Sequence, residues 1–184
     1  MRSLAAFVAR HEPDLFAVCE IDAGDALALA TRFAREWAYR GGQALFWNGT
    51  LRANAVRDVS LPFRAIKPFD RHGLLRVEGR LLGESCALFA TQFASERERR
   101  IPELRFARDH IRGVRGPALF FAHLADRRIE FADLGYRDAL AASPGAERIY
   151  VRGWKIEEAA KDAPSAGLGA PIRARLARLP SVTV

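Results

Sequence analysis

Ten residues constrain the fold of this chain more than any others: Pro13-Asp-Leu-Phe-Ala-Val-Cys-Glu-Ile-Asp22. Leu15, Phe16, Ala17, Val18 and Cys19 form an unbroken apolar run of strand length, the pattern of a strand covered on both faces. Glu20 then falls where such a strand reaches the rim of its sheet. A carboxylate there is costly unless it is solvated, paired or bound to a cation. Glu20 and Asp22 are therefore candidate site residues, and the plain alternative is a pair of solvated acids in a strand-to-helix loop.

The chain has 184 residues, which fits one domain, 1–184, with room for a substantial core. Its 49% apolar and 28% charged composition is that of a folded protein, not a disordered one. No apolar run is long enough to span a bilayer, and the N-terminus lacks the blocks of a signal peptide, so a cytoplasmic location is the default. Cys19 and Cys86 lie inside apolar runs without metal-type spacing, which predicts reduced core residues and no disulfide. The net charge of +7 would suit a polyanion such as nucleic acid. Lys67, Lys155 and Lys161 are the only lysines, however, and such an arginine excess also arises from GC-rich coding.

The apolar spacing predicts a helix over Arg2–Arg10, stopped by Glu12-Pro13, and then the strand described above. Asp22 to Asp25 reads as a turn and N-cap before a helix over Ala26–Arg35. A strand over Gln43–Trp47 follows Gly41-Gly42 and closes on Asn48-Gly49, a hairpin-turn signal. Leu51–Arg71, which contains Pro62 and Pro68, reads as irregular with one or two short strands. Leu74–Val77 and Cys86–Phe93 form a hairpin, and a helix capped by Ser95 runs to Arg112 with Pro102 in its first turns. Buried strands are expected over Ala118–Leu124 and Ile149–Trp154, a short helix or turn near Phe131–Leu140, a loop over Glu157–Gly169, and a last strand within Pro171–Leu179. Many buried strands with a few interposed helices indicate an α/β layered sandwich.

In this order the motifs resemble the endonuclease/exonuclease/phosphatase superfamily. Pro13-Asp14 with Cys19-Glu20 matches the strand ending in Gln-Glu; Thr91-Gln92-Phe93 before an arginine-rich helix matches Thr-His-Leu. Gly116-Pro117 to Ala125 matches the Gly-Asp-Phe-Asn strand, Leu134-Gly135-Tyr136-Arg137-Asp138 the next segment, Arg148-Ile149-Tyr150 the Arg-Ile-Asp strand, and Gly169-Ala170-Pro171-Ile172 the closing Ser-Asp-His. The resemblance implies a four-layered α/β/β/α sandwich, a divalent cation such as Mg²⁺ or Mn²⁺ held by carboxylates, and phosphoester hydrolysis, with Glu20 at the metal-ligand position.

Several catalytic positions depart from that pattern. Gln92 stands for the phosphate-binding histidine, His123 and Ala125 for the aspartate and asparagine that orient the nucleophile, and Gly169-Ala170 for the closing Asp-His pair; Tyr150 follows Ile149 directly. Before the first helix the resemblance also places a strand ending in asparagine, which is either absent from the natural protein or encoded upstream of Met1. A sandwich without that strand has a vacant internal position and an unpaired edge, which favours a homodimer or a rearrangement. His123 and Gln92 are the candidate acid/base and polar partners of Glu20, and the alternative for both is a neutral structural network. His72 and His110 have no partner at ligand spacing and read as surface residues, the α-helical arginines as an ion-paired face, and Trp37, Trp47 and Trp154 as packing residues. The combined expectation is a catalytically degenerate protein that binds an anionic or phosphorylated partner. An active metal-dependent phosphoesterase using Glu20, Asp22 and His123, or non-catalytic nucleic-acid binding, are the alternatives.

Overall fold

Side-chain alternation along the strands sorts the apolar residues into stacked layers. The structure, a computed structural model, describes residues 2–60, 73–124, 131–141, 146–163 and 171–178, with the side chains of 58 and 60 excluded. The chain opens with α1 (Arg2–His11), β1 (Leu15–Cys19), α2 (Ala23–Arg32), β2 (Glu36–Arg40) and β3 (Gln43–Trp47). These strands form an antiparallel sheet in the order β1-β3-β2. Phe16 and Val18 of β1, with Ala44 and Phe46 of β3, pack against the helices through Val8, Ala26 and Leu29. Leu15, Ala17, Leu45 and Trp47 point to the opposite side, into a core shared with a second sheet. The strand thus packs on both faces, although only Phe16 is buried and the other four residues of β1 are half-buried, less covered than the apolar run at Leu15–Cys19 predicts.

The second sheet contains β4 (Leu51–Ser60), β5 (Gly73–Leu81), β6 (Glu84–Gln92), β7 (Ala118–His123), β8 (Arg137–Asp138) and β9 (Glu147–Arg152), in the order β4-β5-β6-β7-β9-β8. Strands β6 and β7 run parallel and are joined by α3 (Arg97–Arg112), since parallel neighbours need a crossover. Leu88, Ala90 and Leu119 face the first sheet, whereas Phe89, Phe120 and Ala122 face α3 through Ala107 and Ile111. The result is the α/β/β/α layering expected from the sequence.

Gly153 turns β9 into β10 (Trp154–Lys161), which pairs with β11 (Ile172–Arg178) as a separate two-stranded sheet. Its φ of +82° is strained for other residues, and a Cβ would lie 2.8 Å from the Pro117 Cα. Among the described residues no helix is long and apolar enough to cross a membrane.

Three local expectations need correction, and one segment without an assignment gains a structure. Glu36–Arg40 is a strand, and Gly41-Gly42, with φ of 52° and 84°, makes the two-residue turn between β2 and β3. Asn48-Gly49 is not a hairpin turn, because β3 pairs with β1 and β2 while β4 pairs with β5. Leu51–Ser60 forms one ten-residue strand, kept in register with β5 on both sides of a bulge at Ala53/Ala55; 61–72, including Pro62, Lys67, Pro68 and His72, lie outside the described residues. Glu157–Lys161, expected to begin a loop, belongs to the strand Trp154–Lys161: its alanine- and glutamate-rich sequence carries little β propensity, and the ladder to β11 overrides it.

Phe120 is fully buried, with Phe93 and Phe131 edge-on to it and Tyr150 stacked on it. Phe120→Ala leaves a cavity at the centre of this cluster and is expected to lower the unfolding free energy by about 3–5 kcal/mol, read from urea denaturation midpoints.

Candidate functional site

Four polar side chains meet at one rim of the sandwich because the strand registers place them there. Gln92 ends β6, His123 ends β7 and Glu147 begins β9; the ladder pairs Gln92 with His123 and His123 with Glu147. Glu20 follows β1 of the facing sheet, and Gln92 Nε2 donates to Glu20 Oε1 at 2.8 Å. His123 Nδ1 lies 3.7 Å from Glu147 Oε1. The sequence-derived candidates Glu20, Gln92 and His123 therefore converge, and the pairing of Glu20 with Gln92 bridges the two sheets. Glu147 is the member that sequence reading missed. Its signal is its place immediately before Arg148-Ile149, but only the antiparallel β7–β9 register brings it beside His123.

Glu20 has φ of 59°, a left-handed conformation that costs a residue with a Cβ about 1 kcal/mol or more. The strain turns the chain sharply out of β1 and aims the carboxylate at β6. Asp22, two residues later, is the N-cap of α2, and its Oδ1 accepts from the Asp25 N–H at 2.7 Å. As placed, both carboxylates are engaged by the protein itself. Among the described residues no three His, Cys, Asp or Glu side chains gather to hold a metal ion. Mg²⁺ keeps several waters and takes one or two protein carboxylates; here Glu20 Oε1 accepts from Gln92 and Asp22 caps α2. Ala125 and Gly169-Ala170 lie outside the described residues.

Beneath the rim, burial raises the Cys19 thiol from its ordinary 9.0 to about 12, reinforced by the charges of Glu20 and then Glu147. Both carboxylates thus act on one point, the inner wall of the site. Burial also raises Cys86 to about 11, with a smaller contribution from Glu84 and an opposing backbone hydrogen bond. Both cysteines are free, Cys86 buried and Cys19 half-buried.

Other residues singled out by sequence have structural placements. Trp47 and Trp154 are buried, and Trp37 stacks near Phe46. His110 is half-buried on α3, its Nδ1 3.0 Å from the Phe106 carbonyl. Arg112 and Asp109, Arg108 and Asp133, and Arg99 and Glu96 form ion pairs, so much of the helical arginine charge is partnered. Glu103 departs from that solvated face: it is fully buried, and its Oε2 accepts the Ala94 N–H at 2.8 Å. It ties the start of α3 to the end of β6. The helix itself begins at Arg97 after Glu96, which makes no side-chain cap bond, and so Ser95 is not its cap.

Tyr136 is likewise raised from 10.0 to about 12 by burial, against the opposing charges of Arg152 and Arg76. Cys19, Cys86 and Tyr136 therefore hold their protons more tightly folded than unfolded. Above about pH 9 the unfolded chain sheds protons that the folded chain keeps, so this stability is full below the unfolded values and is lost as pH rises toward about 12. Urea midpoints are expected to fall steadily between pH 9 and 11. Iodoacetamide should label neither thiol appreciably at pH 8 without denaturant, as read by mass spectrometry.

No protein-family model and no curated protein matches the sequence. Solved structures do share its shape. A D. rerio TDP2 humanized by 14 mutations superposes with a TM-score of 0.78 at 15% identity, covering 96% of this chain and 90% of that one. The D. rerio TDP2 complexed with single strand DNA product gives 0.72 at 14%, covering 87% and 81%. An endonuclease/exonuclease/phosphatase from Bacteroides vulgatus gives 0.76 at 14% over 96% and 89% of the two chains. The mannosyl-6-phosphatase of Bacteroides thetaiotaomicron gives 0.74 at 12% over 95% and 89%. The chain has the α/β sandwich fold of the endonuclease/exonuclease/phosphatase proteins.

Proposed function

We propose that this is a catalytically degenerate protein of the phosphoesterase fold, which acts by binding an anionic or phosphorylated partner. The observation that carries the reading is the Gln92–Glu20 hydrogen bond. Hydrolysis of a phosphoester needs charge neutralisation of the phosphate and groups that move protons on and off oxygen. An amide does neither, and here it occupies the carboxylate at the position that the resemblance assigns to a metal ligand. The net charge of +7 supports an anionic partner. The likeness to a TDP2 solved with single strand DNA makes nucleic acid a natural first candidate. A cytoplasmic location and a single domain over 1–184 accompany this reading.

One observation favours an active Mg²⁺- or Mn²⁺-dependent phosphoesterase instead. His123 and Glu147 sit 3.7 Å apart on the same rim as Glu20, and a histidine oriented by a carboxylate is a competent general base. That reading would use Glu20, Asp22 and His123, and it predicts calorimetric binding of Mg²⁺ or Mn²⁺ at millimolar concentration.

Purified protein incubated with Mg²⁺ or Mn²⁺ and a panel of phosphodiesters, phosphomonoesters and DNA is expected to show no turnover. Turnover lost in Glu20→Ala overturns the degenerate reading. Fluorescence titration with a single-stranded oligonucleotide at low salt should show binding that weakens steeply as salt is raised; no binding even at low salt removes nucleic acid as the partner.

A further inference from the structure

On the side of the second sheet that carries α3, strands β4 and β5 present a block of arginines. Residues directly opposite in an antiparallel ladder point to the same face, and this ladder sets Arg52 against Arg80 and Arg57 against Arg76. Arg76 stacks over the Phe89 ring, 5.6 Å from its centroid, and Phe89 belongs to the core beneath α3, which fixes the side of the sheet. Leu75, Val77 and Leu81 point the other way, into the core shared with the first sheet. Arg52, Arg57 and Arg80 are exposed.

A bulge builds this face. Arg52 and Arg57 stand at an odd spacing in the sequence, which in a regular strand sends two side chains to opposite faces. The extra residue between Ala53 and Ala55 shifts the alternation by one, so both arginines come to the α3 side. Like charges directly opposite one another destabilise a ladder, and here two such pairs lie about 13 Å apart along β5. Among the described residues of β4, β5 and β6, Glu78 is the one acid on this face, and Arg76 at 2.5 Å and Arg57 at 3.6 Å share it. Arg52 and Arg80 have no ion pair among the described residues. Arg80 donates instead to the Gly83 carbonyl at 2.8 Å, and the guanidinium of Arg178 lies against Gly83, so the basic surface continues to the β5–β6 turn.

A bound anion relieves such repulsion, and the chemistry of the face selects which anion. A guanidinium donates through a planar fork. The two oxygens of a carboxylate lie in one plane and fill one fork, whereas the free oxygens of a phosphodiester surround a tetrahedral centre and can accept from two arginines at once. We infer that the outer face of β4 and β5 is a docking surface for the phosphodiester backbone of a nucleic-acid strand, with Arg52 and Arg80 on one phosphate and Arg57 and Arg76 on another. The spacing of the two pairs matches the rise of about four stacked nucleotides. Phe89 beneath Arg76 is fully buried and cannot stack on a base, so the face reads backbone and not base sequence. The inference rests on the reading of an anionic partner and places the contact away from the rim, where Glu20 and Glu147 repel phosphate.

The probe is a short fluorescent oligothymidylate, titrated by anisotropy at low salt. Four phosphate contacts predict that log affinity falls with log salt at a slope of about −3, and less steeply once an arginine is reversed. Arg52→Glu and Arg80→Glu each turn a like-charged pair into an opposite one, so each variant should melt at or above the temperature of the unmodified chain. Each should nevertheless weaken the oligonucleotide about tenfold or more at low salt. Arg10→Glu makes the same change in net charge on the exposed side of α1, in the opposite outer layer, and should weaken it by less than about threefold. No binding at low salt overturns the inference together with the nucleic-acid reading. Three results overturn the inference alone and leave an anionic partner standing: equal weakening by Arg52→Glu and Arg10→Glu, a larger effect of His123→Ala than of Arg52→Glu, or competition by polyglutamate as strong as by unlabelled oligonucleotide at equal charge.

Discussion

The parallel pairing of β6 with β7 is the contact on which the rest of this structure depends. Those two strands are central in the six-stranded sheet and contribute to both cores: Leu88 and Leu119 on one side, Phe89 and Phe120 on the other. Their register aligns Gln92 with His123, and the β7–β9 ladder then brings Glu147 alongside. A one-residue slip would exchange the two faces of a strand. It would send Phe120 toward the first sheet and break the rim with the same stroke.

At that rim the charge distribution is a consequence of geometry rather than of composition. The chain is strongly basic overall, yet the side chains that meet beyond β1, β6, β7 and β9 are two carboxylates, an amide and an imidazole. Many of the arginines are committed elsewhere: Arg108 to Asp133, Arg112 to Asp109, and buried Arg148 to the Leu140 carbonyl with Asp138 nearby. An amide that occupies a carboxylate holds the two sheets together at this point without adding charge. The strained backbone at Glu20 persists because β1 is fixed between the helices and the second sheet, which leaves the left-handed turn as the way out of the strand.

The first sheet and the β10–β11 pair belong to the same layer but are not joined to one another among the described residues. That discontinuity exposes partial apolar surface at Phe121, Ile172 and Ala174, where neighbouring inner-face residues such as Leu119 and Ile149 are buried.

The sequence by itself determined that Leu15–Cys19 is a strand packed on both faces, the helices α1, α2 and α3, the core strands β3, β6 and β7, and the convergence of Glu20, Gln92 and His123 that the family resemblance implied. These are local or periodic signals, carried by unbroken apolar runs and helical spacing. Tertiary structure alone decided that Glu157–Lys161 continues a strand, because a weak local propensity yields to a neighbour's ladder. It alone buried Glu103, whose carboxylate finds the Ala94 N–H across a chain reversal. It also placed Glu147 against His123. Such features depend on which residues distant in sequence become neighbours in space. Periodicity along the chain records burial and direction, and it carries no information about that pairing.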